Sequence, residues 1–125
     1  MAADAVPGSP SSPGCASAWS QDAPTRAEVD DLPGATMVEF GTPGCGHCRA
    51  AQPMIAAALR GHDDVRHLKI EDGSGRPLGR SFGVKLWPTL VFLRGGREVA
   101  RLVRPRDAAG IDEALAALGS EAGPP

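Results

Sequence analysis

The sequence predicts one α/β domain, a central mixed β-sheet flanked by helices. Three observations lead there. Short β-branched or apolar runs alternate with helix-forming runs through the middle of the chain, the pattern of parallel strands joined by helical crossovers. Later, two strand-like runs flank the pair Gly95-Gly96, the signature of a hairpin and so of an antiparallel strand. What remains between the Pro- and Gly-rich ends is about 95–100 residues, enough for one modest core.

The elements follow in order. Residues 1–24 are rich in Ala, Ser, Gly and Pro and too poor in apolar side chains to fold alone, so a flexible extension is expected. Cys15 and Trp19 are its unusual members, expected as an exposed thiol without a role and an aromatic that docks loosely or stays solvated. Thr25-Arg26-Ala27-Glu28 reads as a capping box opening a short helix. A strand follows over 36–41. A helix is expected over 46–60, where Ala50, Ala51, Met54, Ile55, Ala58 and Leu59 keep helical spacing and Pro53 should kink it by removing one N–H. Next come a strand over 65–70, a glycine turn at 73–75 and a short helix over 76–82. The run 89–93 is apolar at nearly every position, as in a strand buried on both faces. Its hairpin partner runs over 98–103. Asp107 can cap a last helix with Ile111, Leu115 and Leu118 on its apolar face. The domain is therefore placed at 25–119, with 120–125 as a flexible tail.

The formal charge of −2 over 125 residues carries no nucleic-acid signature. Of the late arginines Arg94, Arg97, Arg101, Arg104 and Arg106, Arg97 and Arg101 read as a solvated strand edge. No apolar stretch is long enough for a membrane span, so neither nucleic acid nor membrane is expected as a partner. The first twenty residues hold no basic n-region and no apolar h-region. The expected compartment is the cytoplasm, or the periplasm if a presequence has been removed.

Cys45-Gly46-His47-Cys48 lies between a strand and a helix. Cys45 should therefore sit at a helix N-terminus, where unpaired N–H groups and the macrodipole favour a thiolate. Cys48, one turn on, is close enough to close a small disulfide ring. The same spacing serves zinc, but a structural zinc needs about four ligands, and the other candidates, Cys15, His47, His62 and His67, form no second pair. The pair reads as a thiol–disulfide exchange site with no metal and no bound cofactor. Cys45 is the nucleophile, with a depressed pKa, and Cys48 the more buried resolving thiol. His47, between the sulfurs, would as imidazolium favour the thiolate; otherwise it is a solvent-facing spacer. Glu39, a carboxylate in an apolar strand, is the candidate proton acceptor for Cys48; otherwise it faces water at a strand end.

With the element order, three motifs resemble the thioredoxin superfamily over about residues 25–118. Cys45-Gly46-His47-Cys48 is the active-site tetrapeptide typical of protein disulfide isomerase domains. Pro53, five residues after Cys48, looks like the family's kink proline. Trp87-Pro88-Thr89 with Gly95-Gly96 looks like its cis-proline loop and hairpin. The resemblance, closest to small bacterial thioredoxin-like proteins, implies a thioredoxin-like fold. It also implies that a cis Pro88 exposes the Trp87 backbone to an extended substrate, with Trp87 itself either an aromatic contact or plain core. Four positions depart from the family pattern. Gly44 stands where Trp is common, Glu39 replaces the usual Asp, His67 falls on a common lysine, and Arg104 replaces a glycine that lets partners approach. Gly44, Trp87, Pro88 and Arg104 are thus the expected substrate-binding residues.

The implied function is that of a monomeric protein-disulfide reductase. It would act on disulfide-containing proteins and take electrons from an unidentified small thiol or reductase. The rivals are the same chemistry run as oxidation or isomerisation, a non-catalytic binding module using the Pro88 face, and a metal or iron–sulfur site shared across a dimer through Cys45 and Cys48.

Overall fold

The structure is a computed structural model that describes residues 18–121. The expectations for residues 1–17, Cys15 among them, and for 122–125 fall outside the described residues. Eight elements follow the expected order: α1 (Arg26–Asp30), β1 (Ala35–Gly41), α2 (Gly46–Leu59), β2 (Arg66–Glu71), α3 (Pro77–Ser81), β3 (Thr89–Arg94), β4 (Arg97–Val103) and α4 (Ala108–Glu121). The strands form one sheet in the order β2-β1-β3-β4. β1 and β2 are parallel, while β1–β3 and β3–β4 are antiparallel, so the sheet is mixed.

Local chemistry accounts for the boundaries. Thr25 and Glu28 complete both halves of the capping box on α1. Asp107 Oδ1 accepts from the Gly110 N–H at 2.9 Å, at the start of α4. Pro53 deprives the Arg49 carbonyl of its helical donor, yet α2 continues to Leu59. Only Gly95 and Gly96 separate β3 from β4, both at positive φ (60° and 81°). That is the turn whose twist matches the flanking strands.

Two expected boundaries are corrected. Residues 120 and 121 belong to α4 and not to a tail. Residues 18–24 are part of the fold and not of a free extension. The Ser20 N–H donates to the Lys69 carbonyl at 2.8 Å and the Glu71 N–H to the Ser20 carbonyl at 3.0 Å, a parallel bridge opposite Ile70. Arg76 Nη1 adds a bond to the Gln21 carbonyl. The reason is that β2 is an edge strand whose main-chain groups need partners. A polar segment supplies them through its own backbone, whatever its side chains.

The sheet divides two apolar clusters. On one face Val38, Phe40, Leu68, Ile70, Val91 and Leu93 pack with Val29, Leu78 and Phe82. On the other, Met37, Val65, Leu90 and Phe92 pack with Ala51, Ile55 and Leu59 of α2 and Ile111, Leu115 and Leu118 of α4. Strand side chains alternate, so Glu39 and Gly41 of β1 and His67 and Lys69 of β2 share the α2 face. All four are buried. The α2 face is therefore apolar at one end and polar at the other, and the polar end lies beneath the cysteines.

A side chain at Gly96 would collide with the Asp30 carbonyl, whereas one at Gly95 would meet open space. Gly96→Ala is expected to lower the unfolding free energy by about 2–3 kcal/mol. Gly95→Ala should cost about 1 kcal/mol, the left-handed backbone alone. Urea midpoints of the two variants check this, and equal losses would refute the collision.

Candidate functional site

Cys45 is the N-cap of α2, its backbone extended (φ −86°, ψ 122°) and its sulfur accepting from the Cys48 N–H at 3.2 Å. A side-chain oxygen commonly fills this role. A thiolate fills it well, since its charge meets orphan N–H groups and the positive end of the helix. Burial works against that charge. Hydrogen bonds from the side chain and backbone of Cys48, the backbone N–H of His47 and the positive charge of Arg104 outweigh it, so the Cys45 pKa falls below the ordinary thiol value of 9.0.

Cys48 sits one turn inside the helix and is 1% exposed. Burial pushes its thiol up to about 12. The hydrogen bond to Cys45 and the charges of Cys45 and Glu39 act in the same direction, and the Thr42 backbone N–H opposes them. Both cysteines are free. One sulfur is accessible and ionises early; the other is enclosed and holds its proton.

Beneath Cys48 lies a closed polar network. Glu39 has no exposed surface; its Oε1 lies 2.9 Å from His67 Nε2 and its Oε2 accepts from Gln52 Nε2 at 2.8 Å. The same Gln52 nitrogen donates to the Cys48 carbonyl at 2.7 Å, and Lys69 Nζ donates to Gln52 Oε1 at 2.8 Å. An ammonium can only donate, so Lys69 fixes which way the amide faces. Glu39 is thus linked to the Cys48 backbone by one side chain, and His67, at the position of the family's common lysine, pairs with it. Gln52, Lys69 and Thr42 were not anticipated. The available signals were Gln52 four residues after Cys48 on α2 and the β2 alternation that puts Lys69 on the His67 face.

The outer face is a groove of about 440 Å³ lined by His47, Ala50, Met54, Leu86, Pro88, Val103 and Arg104, among others. Leu86 and Val103 are large apolar side chains 48% and 45% exposed. The His47 side chain is exposed, and the group it offers Cys45 is its backbone N–H. The Trp87–Pro88 peptide bond is cis. Trp87 is anchored by its indole N–H to Asp72 Oδ2 at 2.9 Å. Its carbonyl, expected to be open to a substrate, accepts from Arg104 Nε at 2.8 Å. Arg104 is at φ 51°, a backbone region uncommon for a side-chain-bearing residue, and its own N–H donates to the Pro88 carbonyl. A side chain at Gly44 would meet open space, so the rim before Cys45 is bare. Among the described residues no cluster of three or more His, Cys, Asp or Glu side chains is placed to hold a metal ion, and no helix is long and apolar enough to cross a membrane.

Comparison with known proteins places this geometry. A family model described as Thioredoxin matches residues 20–117. The structure of thioredoxin 2 from Pseudomonas aeruginosa in its reduced form is 59% identical, with a TM-score of 0.76 over 82% of this chain and 95% of that one. Thioredoxin NaTrxh from Nicotiana alata is 26% identical, with a TM-score of 0.63 over 74% and 79% of the two chains. Human protein disulfide-isomerase A2 is 41% identical over 87 residues, 65% of this chain. Rice protein disulfide isomerase-like 1-3 is 40% identical over 110 residues, 82% of this chain. This chain spans only 17% and 20% of those two relatives.

The charge of Arg104 lowers the Cys45 pKa, so its removal must raise it. Iodoacetamide capture of Cys45, followed against pH in a Cys15→Ser/Cys48→Ser background, should show a midpoint below 9.0 that moves upward with Arg104→Ala. An unmoved midpoint would remove Arg104 from the activation of Cys45.

Proposed function

The chain belongs to the thioredoxin family, and we propose that its Cys45–Cys48 dithiol works as a reductase of protein disulfides. The observation that carries this reading is the asymmetry of the two sulfurs. The Cys45 thiolate attacks one sulfur of a substrate disulfide, forming a mixed disulfide and releasing the other substrate sulfur as a thiolate. Cys48 then loses its proton and attacks the Cys45 sulfur, releasing the second substrate thiolate and leaving the Cys45–Cys48 disulfide. Two electrons pass from the dithiol to the substrate, and a small thiol or a reductase returns them. The exchange needs no bound cofactor.

Direction follows from how the thiolate is held. A thiolate stabilised too well makes the dithiol reluctant to give up electrons and turns the couple into an oxidant. Here the support comes from the side-chain and backbone hydrogen bonds of Cys48, the His47 N–H and one exposed arginine, and burial opposes it. Support opposed in this way favours a donor. The likeness to a thioredoxin along nearly its whole length supports the same direction. The isomerase-type reading keeps one observation in its favour, the Cys45-Gly46-His47-Cys48 tetrapeptide beside the likeness to protein disulfide isomerases. A reducing compartment suits the proposed direction, and we place the protein in the cytoplasm.

Two measurements test the reading. Equilibration against glutathione should give a potential near about −270 mV, whereas a value near about −180 mV would make the protein isomerase-like. Cys48→Ser should hold disulfide-bearing partners as mixed disulfides, and Cys45→Ser should abolish turnover in a coupled assay. Retained turnover in Cys45→Ser would refute the chemistry itself.

Glu39 is the buried carboxylate whose charge bears on Cys48, and it is proposed as the acceptor of the Cys48 proton. Glu39→Gln should slow resolution of the mixed disulfide about 10–100-fold and the first attack much less. Stopped-flow separation of the two steps checks it; equal slowing of both would exclude Glu39 as the base.

A further inference from the structure

We propose that Trp19 is a positioning residue for the resolving cysteine: the segment before α1 straps along the edge of β2 and lays its indole in a notch that Gly41 leaves open beside Cys48. The inference rests on the dithiol exchange proposed above. It adds a group from outside the active-site helix and the catalytic strands.

The notch is explicit in the geometry. Gly41 is the last residue of β1, and it is buried. A Cβ there would fall 2.5 Å from Cys48 Sγ and 2.8 Å from the Trp19 ring. Sulfur and ring therefore both border the space that any side chain at 41 would fill. Gly41 is not among the residues at positive φ, so its requirement is for space, which only glycine leaves. The composition around Trp19 gives no hint of docking, yet main-chain bonds set its place. Ser20, its neighbour, is paired on both sides with β2 through Lys69 and Glu71.

The indole has a second contact. Lys69 Nζ lies 4.8 Å from the centre of the Trp19 ring, within cation–π range. This is the ammonium that orients Gln52, which in turn bonds both Glu39 and the Cys48 carbonyl. One ring thus serves two ends of the same network. It covers the Cys48 thiol, with the favourable sulfur–aromatic contact such a neighbour provides, and it holds Lys69 in line. Burial is the largest cause of the raised Cys48 pKa, and the strap supplies part of that burial. The consequence is a resolving thiol kept protonated and out of reach of outside electrophiles. Only the Cys45 sulfur of a mixed disulfide, delivered one turn away, comes within its range.

The test uses the full chain with Cys15→Ser and Cys45→Ser, so that Cys48 is the thiol read. Trp19→Ala should raise its rate of iodoacetamide labelling at about pH 8 by about tenfold, as loss of roughly one pKa unit would. Trp19→Phe, which keeps a ring in the notch, should stay near the unsubstituted rate. Labelling of Cys45 in a Cys15→Ser/Cys48→Ser background serves as the local control and should respond far less. An unchanged Cys48 rate in Trp19→Ala, or equal acceleration in Trp19→Phe, would overturn the proposal. Should Trp19→Ala fail to fold, fluorescence decides. Reduction of the oxidised protein should relieve quenching of an indole beside the sulfurs, and Trp19→Phe should lose most of that change. The same change in both proteins would overturn the proposal. Neither readout depends on turnover, so each would stand or fall separately from the assignment as a reductase.

Discussion

A helix that begins on a sulfur is the constraint on which the rest of the site depends. The Cys48 N–H that meets Cys45 Sγ must be satisfied by something, because the first turn of any helix has donors without partners. Using a cysteine for that purpose ties fold and chemistry together. The capped helix favours the thiolate, and the thiolate is the better cap. The same interaction sets the other sulfur apart. Cys48, three residues after the cap, is carried inward, where Ala51, Ile55 and Leu59 of α2 lead into the core. One helical turn thus turns two identical side chains into a nucleophile and a reserve.

Carrying Cys48 inward would be costly if the polar groups below it were unmatched. Buried polar groups without partners destabilise a core, and half-satisfied networks are worse than apolar packing. Here the requirement is met around a ring of groups. His67 and Gln52 take the two oxygens of Glu39, Lys69 takes the oxygen of Gln52, and Gln52 returns to the Cys48 carbonyl. Removing Lys69 would take the donor from the Gln52 oxygen, and removing His67 would take the partner from one Glu39 oxygen. That interdependence explains why the α2 face tolerates a carboxylate, an imidazole and an ammonium within a small domain. It also places a carboxylate below the thiol whose proton the proposed exchange has to remove.

Legibility in the sequence followed the range of the signals. The cysteine pair, the Gly95-Gly96 hairpin, the capping box at Thr25 and the apolar run of β3 are written in neighbouring residues, and each was readable. Glu39, Cys45 and Cys48 were readable for the same reason, an unusual residue beside a recognisable element. Gln52 and Lys69 look ordinary in isolation, and their meaning appears only when α2 is laid over β2. Even so, alternation through Val65, His67 and Lys69 already assigns them one face. Trp19 and Ser20 were hidden more deeply. Pairing on a strand edge uses backbone groups that every residue carries, so a Ser-, Gln- and Asp-containing segment docks without leaving a mark in its composition. The end of α4 was misplaced for the opposite reason. The apolar spacing of Ile111, Leu115 and Leu118 stops at 118, whereas the helix continues through Gly119 and Ser120.

The two sides of the dithiol are guarded in different ways, and the difference bears on how a substrate must approach. On the inner side, glycine at 41 is matched by an indole from a distant segment, and the result is closed. On the outer side, glycine at 44 is matched by nothing, and the nearby groove carries exposed Leu86 and Val103. Among the polar side chains that line it is Arg104, whose guanidinium holds the Trp87 carbonyl while its charge favours the Cys45 thiolate. A chain laid along Trp87 has to compete with that guanidinium for the carbonyl. Arg104 therefore occupies the Trp87 carbonyl and supports the Cys45 thiolate at the same time. A glycine in its place could do neither, which gives the departure from the family pattern at this position a physical content.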